Sequence, residues 1–150
     1  DAEALASALI NAKDGIKYCE TCFNFTEISC SICEICRDTN RDHSCICVVE
    51  QASDVLVLEA KAIHKGVFHV LGGLLSPLEG VRPEDLRIKE LKMRVSAVEV
   101  RETILAFNAG PEGDATSSYL YHLLSDHVGV SRPARGLPVG ADIDLADFGR

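Results

Sequence analysis

The sequence predicts an α/β fold, a mostly parallel sheet flanked by helices, with a small four-cysteine zinc finger ahead of it. Three observations predict this. Two C-x2-C pairs, Cys19/Cys22 and Cys33/Cys36, stand close together in a short polar stretch. From Cys45 onward, apolar runs of strand length alternate with segments of helical spacing, the pattern of a parallel sheet. The turns after those runs carry Gly, Pro, Asn and acidic residues, at the carboxyl ends of strands where such sheets bind ligands.

Composition narrows the classes. A chain of 150 residues suffices for one core and a metal-held appendage. The formal net charge of −8, from 23 acidic and 15 basic residues, argues against coating nucleic acid through overall electrostatics. Local basic groups remain as candidate contacts, each with ordinary solvated surface as the alternative: Arg37 and Arg41 near the cysteines, the Arg82 to Arg94 stretch, where surface is the better reading, and Arg132 with Arg135. No apolar run reaches the roughly 18 residues of a membrane span, and no signal-like segment opens the chain, so no membrane partner is expected. Seven cysteines, an odd number, fit a reducing cytoplasm better than a secreted disulfide scaffold.

Residues 1–16 read as a linker helix. Leu5, Leu9 and Ala12 recur at helical spacing over Ala2 to Lys13, and Gly15 is a natural stop. No cap or turn precedes the helix, and the chain is expected to continue a longer upstream region. Residues 17–43 form the zinc finger. Each C-x2-C turn brings two thiolates together, and tetrahedral Zn²⁺ takes four of them at about 2.3 Å. Cys33/Cys36 is the preferred second pair, and Cys30/Cys33, also C-x2-C, is the alternative. Cys45 and Cys47, alternating with Ile46 and Val48, are expected to be core.

Residues 44–140 hold the sheet. Cys45 to Glu50 reads as a strand buried on both faces. Ser53 or Asp54 caps a helix carrying Val55, Leu58, Ala62 and Ile63, which Gly66 ends, and Val67 to Leu71 is the next strand. Gly72 to Pro83 is loop, Glu84 to Val95 a short helix, and Val98 to Phe107 a strand. Asn108 to Gly113 turns into a helix over Asp114 to Leu124, Val128 to Pro133 is the last strand, and Gly136 to Gly140 is a tight loop. Residues 141–150 are a tail. The strand-end rule draws Glu50, Asn108, Glu112 and Asp114 together as a rim of oxygen donors, either a divalent-metal site or ordinary capping and solvated acids.

These residues carry a resemblance. Ile46-Cys47-Val48-Val49-Glu50 with Ala106-Phe107-Asn108-Ala109-Gly110-Pro111-Glu112-Gly113-Asp114-Ala115-Thr116 resembles the Toprim domain of topoisomerases, bacterial primases and the RecR recombination mediators. The upstream cysteines with Cys36-Arg37-Asp38-Thr39-Asn40-Arg41-Asp42, then Phe68 to Gly73, Leu75 to Leu86 and Arg135 to Gly140, narrow it to the RecR family. The resemblance covers nearly the whole chain and depends on the order of the motifs.

It implies a non-enzymatic DNA-repair and recombination protein at the nucleoid. Such a mediator works with RecO, and in many bacteria RecF, to help load recombinase onto gapped single-stranded DNA. Catalytic Toprim enzymes carry D-x-D-x-E-G-E after the strand, where this chain has Asn108, Gly110, Glu112 and Asp114. The missing aspartates disfavour the rival reading, a Mg²⁺-dependent nuclease or primase-like enzyme using Glu50, Glu112 and Asp114. A third reading is a plain zinc-ribbon interaction module. Under the resemblance Cys19, Cys22, Cys33 and Cys36 hold a structural zinc, and Glu50, Glu112 and Asp114 are a partner contact or loop scaffold. Lys61, Lys65, Arg132 and Arg135 are candidate contacts to single- or double-stranded DNA, with solvated surface as the alternative. The family's N-terminal helix-hairpin-helix module, which adds DNA affinity and a subunit interface, has no counterpart here. A homo-oligomer, dimer or tetramer, with weakened DNA binding is therefore expected. Ala109-Gly110 before Pro111, Ala141, and the short ending Asp147 to Arg150 depart from the family pattern.

Overall fold

The computed structural model describes residues 1–97 and 99–134. Arg135, the Gly136 to Gly140 loop and the tail at 141–150 lie outside the described residues. The elements run α1 (Ala2–Gly15), β1 (Ile16–Tyr18), β2 (Phe25–Glu27), α2 (Glu34–Arg37), β3 (Asp42–Val49) and α3 (Ala52–Ala60). They continue with β4 (Gly66–Val70), a 3-10 turn (Pro83–Asp85), α4 (Ile88–Ala97), β5 (Glu102–Leu105), α5 (Pro111–Leu124) and β6 (Gly129–Ser131). A four-stranded parallel sheet has the order β4-β3-β5-β6, and β1 and β2 form a separate antiparallel pair.

Side-chain alternation along β3 divides the core. Ile46 and Val48 face a cluster with Leu91, Val95, Leu105, Leu120 and Leu124, supplied by α4, α5 and β5. Cys47 and Val49 face a smaller cluster with Val55 and Leu58 of α3 and Phe68 and Val70 of β4. The strand is thus buried on both faces, as the near-continuous apolar run predicts. Cys47 is core, and burial pushes its thiol up to about 12. Cys45, expected to be core, is half-buried, because the strand emerges toward its amino end.

Several boundaries move. α3 starts at Ala52 with Gln51 as its cap, and Asp54 acts from inside the first turn by accepting from the Gln51 N–H at 2.8 Å. The helix stops before Ala62, whose φ of 51° leaves the helical region, and Ile63 is exposed. Gly66 is no helix stop but the first residue of β4, where a Cβ would stand 2.3 Å from the Cys45 carbonyl oxygen. The helix expected at Glu84 to Val95 is a 3-10 turn and then α4, which continues to Ala97; β5 therefore begins at Glu102 rather than Val98. α5 starts at Pro111, whose fixed φ suits a first helical position, three residues before Asp114. β6 is shorter than expected.

The finger packs against β4, an edge strand. The Val70 N–H donates to the Cys22 carbonyl at 2.8 Å. The Arg94 guanidinium of α4 donates to the Phe68 carbonyl at 2.6 Å, and Arg41 donates to the Gly66 carbonyl at 3.1 Å while pairing with Glu59. Ile35 of α2 touches the clusters on both faces of the sheet and the cysteines as well.

Gly113 fixes how α5 leaves the sheet, since a Cβ there would meet the Asn108 carbonyl oxygen at 2.2 Å. Gly113→Ala is expected to cost about 1–3 kcal/mol of stability, whereas exposed Ser118→Ala on the same helix changes it by less than about 0.5 kcal/mol. Urea unfolding midpoints of the two variants check this.

Candidate metal centre and strand-end rim

The hairpin β1/β2 and the short α2 hold the cysteines. Cys19 and Cys22 belong to the knuckle between β1 and β2, Cys33 is the N-cap of α2, and Cys36 lies within that helix. The knuckle closes through Cys19 N–H to the Asn24 carbonyl at 2.7 Å and Phe23 N–H to the Cys19 carbonyl at 2.9 Å. Phe23 takes a φ of 61° to complete that turn. The four sulfurs lie within 4.8 Å of one another and could hold a metal ion. A tetrahedral ion with metal–sulfur bonds of about 2.3 Å sets its sulfurs about 3.8 Å apart, so the spread fits. Cys22 Sγ and Cys33 Sγ are 3.5 Å apart, and the Cys33 N–H donates to Cys19 Sγ at 3.3 Å. Such backbone donation stabilises a thiolate. Hydrogen bonds from Cys22 and Cys36 hold the Cys33 thiol far below its ordinary value, and the bond with Cys33 raises Cys22 correspondingly. Cys30 lies outside this group, turned toward Ser29 Oγ at 3.8 Å.

The rim forms at the carboxyl ends of the strands. Glu50 follows β3, Asn108 lies between β5 and α5, and Glu112 and Asp114 are in the first turn of α5. Glu112 accepts from Ser76 Oγ at 2.6 Å, and Asp114 pairs with Arg132 at 2.7 Å. Thr116 Oγ1 accepts from the Leu75 N–H at 2.9 Å and donates to the Glu112 carbonyl at 2.6 Å, so α5 and the loop after β4 are locked together. Lys61 and Lys65 lie elsewhere, between α3 and the amino end of β4, at the opposite end of the sheet from the acids. Arg132 is engaged by Asp114, and Arg41, in one of the basic groups, by Glu59.

Beside the rim, a cleft of about 540 Å³ opens between the finger and the sheet, lined by Tyr18, Phe23, Phe25, Gln51, Ser53 and Arg87 among others. Sequence reasoning missed it. The signal was present in Tyr18 and Phe23-Asn24-Phe25, aromatic residues in a loop too small to bury them in a core of its own.

Burial first, then Asp54 and Glu112, raises the Glu50 carboxyl above its ordinary value. For a group raised in the folded state, stability is fully present below the unfolded value and is lost as pH rises through the folded one. Glu50→Gln is therefore expected to raise the melting temperature near neutral pH, and the gain should vanish below the ordinary glutamate range at about pH 4. Thermal melts of both proteins at the two pH values check the sign.

Comparison with known proteins agrees with this architecture. Residues 44–134 match the Toprim domain. Recombination protein RecR of Moorella thermoacetica is 47% identical over 148 residues, covering 98% of this chain and 73% of that protein. RecR of Desulforudis audaxviator is 49% identical over 147 residues, covering 97% of this chain and 73% of that protein. RecR of Leifsonia xyli subsp. xyli is 45% identical over 148 residues, covering 98% and 74%. With a Toprim sheet, a four-cysteine cluster ahead of it and this identity along almost its full length, the chain belongs to the RecR family of recombination proteins.

Proposed function

We propose that the protein is a non-catalytic mediator of recombinational DNA repair. It acts with RecO, and with RecF where that protein is present, to help load recombinase onto gapped single-stranded DNA. The rim carries this reading. At the positions where catalytic Toprim enzymes place two aspartates, this chain has Asn108 and Gly110. Of the acids that remain on α5, Glu112 accepts from Ser76 and Asp114 pairs with Arg132. A two-metal reaction needs several anionic oxygens free to hold hard cations and balance phosphate charge. The rim is better suited to scaffolding the loops that meet a partner protein.

Zinc is the metal in this reading, because four thiolates in tetrahedral reach are the donor set it favours. Cys19, Cys22, Cys33 and Cys36 would hold it with no position left open, and the ion would supply folding energy to a hairpin with little core. Self-assembly belongs to the same reading. α1 buries no residue, and Leu5 and Leu9, one turn apart on it, are each 63% exposed. Helices this short gain most of their stability from packing, which a second copy would provide.

Purified protein is expected to carry one zinc per chain and to lose the finger's protection from hydrogen exchange on chelation. Cys22→Ser should lose the metal, and Cys30→Ser should keep it. The mediator reading predicts no cutting of supercoiled or single-stranded DNA with Mg²⁺ or Mn²⁺, together with RecO-dependent stimulation of recombinase loading on DNA coated by single-strand-binding protein. Cleavage abolished by Glu112→Ala would establish an enzyme instead.

A further inference from the structure

The aromatic cleft has no part in the metal centre or the rim. Tyr18 and Phe25 stack on one another across the β1/β2 hairpin, with ring centroids 5.7 Å apart and planes at 22°. They remain 59% and 48% exposed, on one wall of the cleft. Phe23 stands beside them. Its ring is set edge-on to His69 at 5.6 Å, and the Arg87 guanidinium lies over it at 4.8 Å. His69 is fully buried and fixed by its Nε2 bond to the Arg87 carbonyl at 2.9 Å, so Phe23 rests on a rigid backing. The start of α3 also lines the cleft, where Gln51 and Ser53 contribute an amide, whose Nε2 lies 3.5 Å from a Glu50 carboxylate oxygen, and a hydroxyl.

These groups match the parts of one unpaired nucleotide. A flat ring stacks on an exposed aromatic face whatever its base identity, an amide and a hydroxyl meet its polar edge, and a guanidinium beside the aromatic wall meets the adjoining phosphate. The volume lies within the range of about 300–1,000 Å³ typical of small-molecule sites, which admits a nucleotide. A base in duplex DNA is already stacked on both faces and cannot enter such a cleft. The lining charges are Arg87 and Asp85, and Asp85 is occupied in accepting the Arg82 N–H at 2.9 Å. Arg87 has a long contact to Glu90 at 3.7 Å and is half exposed, which leaves its guanidinium able to turn to a phosphate.

We propose that the cleft between the finger and the carboxyl ends of β3 and β4 is a subsite for one unpaired nucleotide of single-stranded DNA, with the base stacked on Tyr18 and Phe25 and the phosphate met by Arg87. The proposal rests on the DNA-repair reading above and adds to it the place where a single strand is recognised.

Tyrosine fluorescence reads the site, because the chain has three tyrosines and no tryptophan. The protein with zinc in the buffer is titrated with an oligothymidylate of about 12 nucleotides, with an abasic strand of equal length, and with thymidine monophosphate. The oligothymidylate should quench the fluorescence and bind more tightly than the abasic strand. With affinity read from the anisotropy of a dye-labelled strand, Tyr18→Ala or Phe25→Ala should weaken it by about 5- to 150-fold, while Tyr18→Phe retains affinity and loses the tyrosine quenching. Arg87→Gln should lower the slope of log affinity against log salt by about 0.7, the value of one phosphate on a single strand. Unchanged circular dichroism and zinc content in each variant show that the fold survives. Binding that ignores the bases and both aromatic substitutions overturns the cleft assignment and leaves the repair reading standing. Absence of any DNA binding overturns the cleft assignment, and RecO-dependent stimulation of recombinase loading then decides the repair reading separately. Equal affinity for free thymidine monophosphate assigns the cleft to soluble nucleotides and overturns the single-strand assignment.

Discussion

The open edge of β4 is the constraint that the remainder of the structure answers. A strand at the margin of a sheet leaves backbone donors and acceptors that must be paired, hydrated or covered. Here the answer comes from three directions. The finger receives the Val70 N–H on the Cys22 carbonyl, Arg94 of α4 reaches the Phe68 carbonyl, and Arg41 reaches the Gly66 carbonyl. The cysteine cluster is therefore wired to the sheet through the backbone of one of its own members. Order among the four sulfurs is transmitted directly to the end of β4, and from there to the loop that follows it.

That loop is fastened to the rim. Leu75 and Ser76 are bonded to Thr116 and Glu112 of α5, so the carboxylate that survives from the catalytic pattern serves as a fastener between two segments. The Glu50 carboxyl beside it is raised because burial desolvates its charged form and the charges of Asp54 and Glu112 repel it. Lys61 and Lys65 lie at the far end of the sheet, away from the rim.

The legible parts of the fold were those with one dominant cause. β3 shows itself in the apolar run Ile46 to Val49 because both of its faces are buried. The cysteine pairs show themselves because their spacing has a single chemical use, although spacing alone left Cys30 in contention; the turn at Glu27 to Cys30 carries its sulfur away from the others. The β1/β2 hairpin was illegible, since its strands are three residues each and alternate only between exposed and half-buried positions. α3 ended earlier than its apolar pattern suggested because Ala62 takes a φ of 51°, outside the helical region. The cleft escaped notice for another reason. Its wall and floor come from segments far apart in sequence, and no local pattern announces a contact of that kind.

Ile35 sits between Cys33 and Cys36 and touches the four-cysteine cluster and the apolar layers on both sides of the sheet. One side chain thus serves three packing environments, and a change in its shape is felt in all of them at once. Finger and sheet are consequently not interchangeable parts. A chimera that joins the finger of one relative to the sheet of another inherits a mismatch at this position unless the residues around it travel together, so the two modules are bound to diverge as a unit.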